Sequence, residues 1–257
     1  MKIAILGDIH GNSIALDRVL EDIRSSGGVD EYWFMGDYAA IGHDPVGVME
    51  RISVLPNARI IRGNTDRYIC SGELPGPLLA EAMKDPAKAR QHIQFARSFS
   101  WTAGAVSGAG WLPWFKKLDL DMRFTLPNGS KVLAVHASPG TDDGNGVDLN
   151  TTDEELASLV SGADADLLFV GHTHVPIDRM AGNVRVINPC SVSNPYPPDL
   201  RASYGILEAN EDGYQYTPKR VDYDREAVIQ AVREVAHPAA EYVIRFMMGE
   251  NKKPWMK

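Results

Sequence analysis

The chain has 257 residues, 44% hydrophobic and 23% charged, with a formal net charge of -8. That composition supports a sizeable globular core, and with no Lys/Arg-rich run it gives no support to nucleic acid or an anionic membrane as a partner. Two cysteines, Cys70 and Cys190, form neither a metal spacing nor a disulfide framework, and the apolar run before Gly7 is too short for a secretion signal or a membrane span, so a cytoplasmic protein with reduced thiols is expected.

Residues 2–7 read as a buried apolar strand. Asn12 or Ser13 then caps a helix in which Leu16, Val19, Leu20 and Ile23 recur at helical spacing, stopped by Gly27-Gly28. The stretch EYWFMGD is a second strand. Asp44 followed by Pro45 predicts a helix start, running to about Leu55. ARIIRGN is a third strand, and the alternation is that of a parallel α/β sheet. From about 73 to 118 the rhythm becomes helical and alanine-rich, a cap-like excursion with Trp101, Trp111, Trp114 and Phe115 as packing anchors. Strands flanking Pro127-Asn128-Gly129 form a hairpin, and the second ends in VLAVH. Thr152 with Glu155 predicts a capping box. DLLFVGHTH is a further buried strand, followed by a hairpin around Ala181-Gly182-Asn183 and another turning at Asp212-Gly213. A helix closes the pattern, with Val228, Val232 and Val235 on one face. No stretch reads as a linker or a repeat, so a single domain over 1–257 is expected.

Ligand sites of open α/β sheets lie beyond the carboxyl ends of the strands. There the sequence places Asp8 and His10, then Asp37, Asn64, His136, and finally His172 and His174. Glycine precedes Asp8, Asp37, Asn64 and His172, which allows a sharp turn and close approach. Residues two apart in an extended segment share a side, which pairs Asp8 with His10 and His172 with His174. Seven oxygen and nitrogen donors exceed the needs of one zinc-like ion and suit two ions sharing a carboxylate. Without thiolates, such a set favours manganese, iron, zinc, cobalt or nickel. Two ions about 3.5–4 Å apart acidify a bridging water for attack on a phosphate ester and neutralise the phosphoryl oxygens. A lone histidine after a strand is ordinarily a satisfied polar residue, and an aspartate after glycine a turn; the weight rests on all of these motifs standing at strand ends. His92 and His237 read as surface or packing residues.

In order, GDIHGN, the second Gly-Asp, RGNTD, VHASP and GHTH resemble the calcineurin-like metallophosphoesterase superfamily, in particular its small bacterial and archaeal phosphodiesterase branch. The resemblance spans residue 3 to about 193, where INPCS is similar to an Asn-Pro-Gly-Ser segment of that branch. It implies a two-sheet sandwich flanked by helices. It also implies one metal held by Asp8, His10, Asp37 and His174, and a second by Asp37, Asn64, His136 and His172, with Asp37 bridging. The implied activity is hydrolysis of phosphodiesters by a metal-bridging hydroxide, with Asn64 and His136 stabilising the phosphoryl charge.

Three departures stand out. Many members place histidine after the third motif's Gly-Asn, and small phosphodiesterases often cysteine; here it is Thr65, a poor acid. His43 stands in a loop that often reads Gly-Pro-Asp-Pro, and is read either as the missing proton donor or as a solvated histidine. Cys190 takes the place of a glycine, as an inert buried thiol or an oxidisable one near the metals. Arg62 and Arg67 flank Asn64 and either contact phosphate or serve the structure. The rival functions are a protein phosphatase or dinucleoside-polyphosphate hydrolase, whose Gly-Asp-x-x-Asp-Arg-Gly motif is missing here, and a non-catalytic scaffold on the same fold.

Overall fold

The computed structural model describes residues 1–253. In chain order it contains β1 (Lys2–Leu6), α1 (Ser13–Ser25), β2 (Glu31–Phe34), α2 (Pro45–Ser53), β3 (Ala58–Ile60), α3 (Asn64–Ser71), α4 (Leu79–Ala82), α5 (Pro86–Gly108) and α6 (Leu112–Phe115). The second half adds β4 (Asp121–Thr125), β5 (Lys131–Val135), α7 (Asp153–Val160), β6 (Leu167–Phe169), β7 (Ile177–Ala181), β8 (Val184–Asn188), β9 (Ala202–Asn210), β10 (Gly213–Val221), α8 (Arg225–Glu234) and α9 (Ala240–Met247).

Two five-stranded mixed sheets result, ordered β10-β9-β1-β2-β3 and β4-β5-β6-β8-β7. In each, three parallel strands carry antiparallel neighbours: β9 beside β1, and β4 and β7 at the edges of the second sheet. The strand period of two sorts side chains between layers. Ile3 and Ile5 of β1 join Val132 and Ala134 of β5 in one core between the sheets. Ala4 and Leu6 turn the other way, onto α1 and α2, while Leu133 and Val135 pack with Leu156 of α7. Trp33 is fully buried in the inter-sheet layer, edge-on to Phe124 and Phe169.

Local signals fix most helix ends. The Asn12 and Asp44 side chains accept from the N–H groups of Ala15 and Gly47, and Thr152 and Glu155 form the capping box of α7. The excursion resolves into α4, α5 and α6; Phe115 is buried, and Trp111 and Trp114 pack half-buried on the core of the first sheet. Two expectations are corrected. RGN does not extend β3: Gly63 caps α3, which begins at Asn64. Val235 is the C-cap of α8 and 40% exposed, leaving Val228, Ile229 and Val232 to face the core.

Candidate metal centre

The parallel strands of both sheets point their carboxyl ends at one space. β1 delivers Asp8 and His10, the segment after β2 delivers Asp37, and α3 begins with Asn64. From the second sheet come His136 after β5 and His172 and His174 after β6. The local conformation is not the extended one expected. Asp8, His10, Asp37, His172 and His174 all adopt left-handed backbone, with φ between 48° and 66°. Such φ values are uncommon outside glycine and cost about 1–3 kcal/mol each, so the surrounding structure must hold them. Of the two expected pairings, Asp8 with His10 holds, the two sharing one ligand cluster, and His172 with His174 does not. His174 lies against Asp8 and His10, whereas His172 turns to Asn64.

Close approach is what the glycines permit. A Cβ on Gly36, whose φ is +94°, would stand 2.5 Å from the Gly63 nitrogen and 2.8 Å from Nδ1 of His136. The ligand loops therefore nest backbone against backbone.

Each rim histidine has one nitrogen tied to a main-chain carbonyl. Nδ1 of His10 donates to Ala40, Nδ1 of His136 to Met35, Nδ1 of His174 to Asn194, and Nε2 of His172 to Gly144, at 2.7 to 3.1 Å. A carbonyl only accepts, so that nitrogen carries the hydrogen and, in the neutral ring, the other presents a lone pair. Those lone pairs converge on other acceptors. His10 Nε2 lies 3.0 Å from His174 Nε2. His136 Nε2 is 3.1 Å from Asn64 Oδ1 and 3.4 Å from Asp37 Oδ2, and His172 Nδ1 is 3.0 Å from Asn64 Oδ1. Asp8 Oδ1 is buried with no hydrogen-bond partner among the described residues. Buried acceptors facing one another repel unless a cation lies among them, so this donor set fits divalent metal. Among the described residues two ligand clusters are compact enough to hold an ion: Asp8, His10 and His174, and Asp8, Asp37 and His136. Asp8 belongs to both, while Asp37 Oδ2 reaches both His10, at 3.7 Å, and His136.

The electrostatics agree. Burial lowers the His136 pKa, but the Asp37 and Asp8 carboxylates override it and push it up to about 10. His10 goes the other way: burial brings it down to about 4 against the opposing pull of Asp37. Asp37 sits well below the usual carboxylate range, because His136, then His10 and His172, outweigh its burial. The carboxylates are thus poised to hold positive charge, whether proton or metal.

Residues absent from the sequence-based expectation brace this rim. Asp66 accepts from the N–H groups of Asp37, Tyr38 and Gly63 at 2.8 to 3.0 Å. An acidic residue at the third position of a helix, where its side chain reaches back to the Gly63 N–H, is the signal that could have found it. Ser191 donates to the Asp8 carbonyl, and the Asn188 amide donates to Gly171 and Thr173. Cys190 has φ of 73°, a backbone conformation that favours glycine. Its thiol is buried, donates to the His174 carbonyl, and is pushed by burial up to about 12, so it is the inert thiol of the two readings.

Thr65 donates its main-chain N–H to Asp37 Oδ1 at 2.9 Å, while its hydroxyl is buried and unpaired among the described residues. His43 is not solvated: it is 8% exposed, with Nε2 3.4 Å from the Ser13 hydroxyl. Arg62 and Arg67 both pair with Asp142, and Arg67 also with Asp143 and Glu73, so both serve the loop that carries Gly144.

The family model of the calcineurin-like phosphoesterase superfamily domain matches residues 1–212. An uncharacterized protein of Methanocaldococcus jannaschii is 27% identical over 237 residues, covering 86% of this chain and 88% of its own. A metallophosphoesterase from Sphaerobacter thermophilus superposes with a TM-score of 0.76 at 26% identity, covering 98% of this chain and 99% of that one. A hypothetical protein from Pyrococcus horikoshii OT3 shares the fold, with a TM-score of 0.80 at 19% identity over 98% and 99% of the two chains. The chain belongs to the calcineurin-like phosphoesterase superfamily.

Proposed function

We propose that this chain hydrolyses phosphate esters, with phosphodiesters as the preferred class, at two divalent ions held between the facing strand ends. The observation that carries the reading is the 3.0 Å approach of His10 Nε2 and His174 Nε2, on rings whose other nitrogens are already committed to carbonyls. In this reading Asp8, His10, Asp37 and His174 hold one ion, Asp37, Asn64, His136 and His172 hold the other, and Asp37 is shared. When bound, the ions lower the pKa of water toward neutrality and offset phosphoryl charge.

The chain itself supplies placement. The carbonyl-tied imidazoles keep their lone pairs aimed without cost at the moment of reaction. The Thr65 N–H and the carboxylate of Asp66 fix Asp37 from two sides. Asn64 and His136 are assigned to oppose charge on the phosphoryl group. A threonine hydroxyl gives up its proton poorly, which supports a preference for leaving groups that need none, such as aryl alcohols.

Chelated protein reconstituted with manganese and offered bis(p-nitrophenyl) phosphate tests the reading. Metal-dependent release of p-nitrophenol, with ethyl diesters turned over far more slowly, is expected. Protein that binds no divalent metal and hydrolyses no diester would belong to the scaffold class instead.

A further inference from the structure

A cleft of about 870 Å³ opens at one end on His172 and Thr173. Its floor is the loop after β5, its far wall the first turns of α7, and Lys253 stands on its margin. The cleft is within the size range of small-molecule sites. Its chemistry is hydroxyl and amide rather than aromatic. Asn145, Asn150 and Ser158 line it, and among the described residues their side chains make no hydrogen bond to the protein. Three acids also line it, of which Asp143 is paired with a cation. Asp143 pairs with Arg67 and Tyr68, Glu155 caps α7, and Asp148 accepts from the Asn150 N–H. Among the described lining residues Lys253 carries the only positive side-chain charge apart from any on His172.

Lys253 is held on the metal side of the cleft. Its ammonium lies 5.1 Å from the centroid of Tyr196, whose ring packs on His174 and Phe246. Burial lowers its pKa, and Asp148 and Asp8 act against that shift.

We propose that this cleft is the subsite for the alcohol portion of the substrate, that this portion is polyhydroxylated, a sugar or polyol, and that Lys253 binds the ester's anionic oxygen at the cleft's mouth. The inference rests on the phosphoesterase reading for its biological meaning, but not for its test. Asn145 and Asn150 are exposed to the cleft, and their amides offer paired donors and acceptors that match vicinal hydroxyls, which an alkyl group cannot engage. A lysine ammonium serves phosphate as a point charge, which suits an oxygen whose orientation is set by the metal side.

Binding decides the matter without turnover. Calorimetry on manganese-loaded protein compares glycerol 1-phosphate with ethyl phosphate, which carries the same charge and lacks the hydroxyls. Glycerol phosphate is expected to bind about tenfold more tightly, the equivalent of one charged or two neutral hydrogen bonds. Asn150→Leu should erase most of that preference and leave ethyl phosphate unaffected. Lys253→Met should weaken both ligands about tenfold, and Lys253→Arg should restore much of the loss. Equal affinities for the two phosphates would overturn the polyol assignment, and an unchanged affinity in Lys253→Met would overturn the role of Lys253. A chain that shows these affinities yet hydrolyses no diester would remove the activity reading and leave the subsite standing.

Discussion

Two groups of buried or half-buried histidines can be compared. At the rim, His10, His136, His172 and His174 each tie one nitrogen to a carbonyl and turn the other into a shared space. Behind it, His43 and His237 are buried as well, but Nδ1 of His43 and Nε2 of His237 have no partner among the described residues. His237 packs edge-on against Trp101 of α5. Burial depresses His10 and His237 alike, to about 4. A depressed pKa therefore does not distinguish a ligand from a packing residue here. The distinction lies in the fixed tautomer and in what the second nitrogen faces.

The largest effect should come from removing the shared carboxylate. Asp37→Asn is expected to lower diesterase activity by more than about a hundredfold and to reduce bound metal, since even outer partners of metal ligands cost about 10–100-fold. A variant with two tightly bound metals and full turnover would break the rim account. Asp66→Ala sharpens it. Three N–H groups lose their acceptor, and metal affinity should fall by about 10–100-fold with a lower melting temperature. An unchanged titration with manganese would show that Asp37 needs no such brace.

The packing histidines should report in stability rather than in activity. His237 takes a proton near its ordinary value of 6.5 when unfolded and near 4 when folded. Its contribution is thus present above pH 6.5 and lost as pH falls toward 4. In metal-free protein, the fall in melting temperature from pH 7 to 4.5 should be smaller for His237→Phe than for the wild type, the remainder belonging to rim groups such as His10. An identical fall would mean that the imidazole is protonated in place. His43→Phe should change aryl diesterase activity by less than about threefold, the size expected of a residue that touches no reacting group. A larger loss in kcat without loss of metal would return His43 to the role of proton donor.

Local chemistry made much of the fold legible. Asn12, Asp44-Pro45, Thr152 with Glu155 and the Pro127-Asn128-Gly129 turn act within four residues, and each marks an element end where expected. The order of strands is different. β9 pairs with β1 across some two hundred residues, and nothing local in either strand encodes it. The seven candidate ligands were legible because imidazole and carboxylate at strand ends are chemically conspicuous. The left-handed conformation of five of them was not, because none of those five is a glycine. The orienting groups were least legible of all, since the carbonyls of Met35, Ala40, Gly144 and Asn194 carry no side-chain identity. α3 was hidden for a plainer reason: NTDRYICS follows an apolar run directly and has a glycine for its cap.

Anomalous diffraction from crystals of the manganese-loaded protein tests the central claim most directly. Two peaks about 3.5–4 Å apart are predicted, with Asp37 between them, His10 Nε2 and His174 Nε2 on one, and His136 Nε2 and His172 Nδ1 on the other. A single peak, or metal bound away from these nitrogens, would contradict the dinuclear reading of the rim.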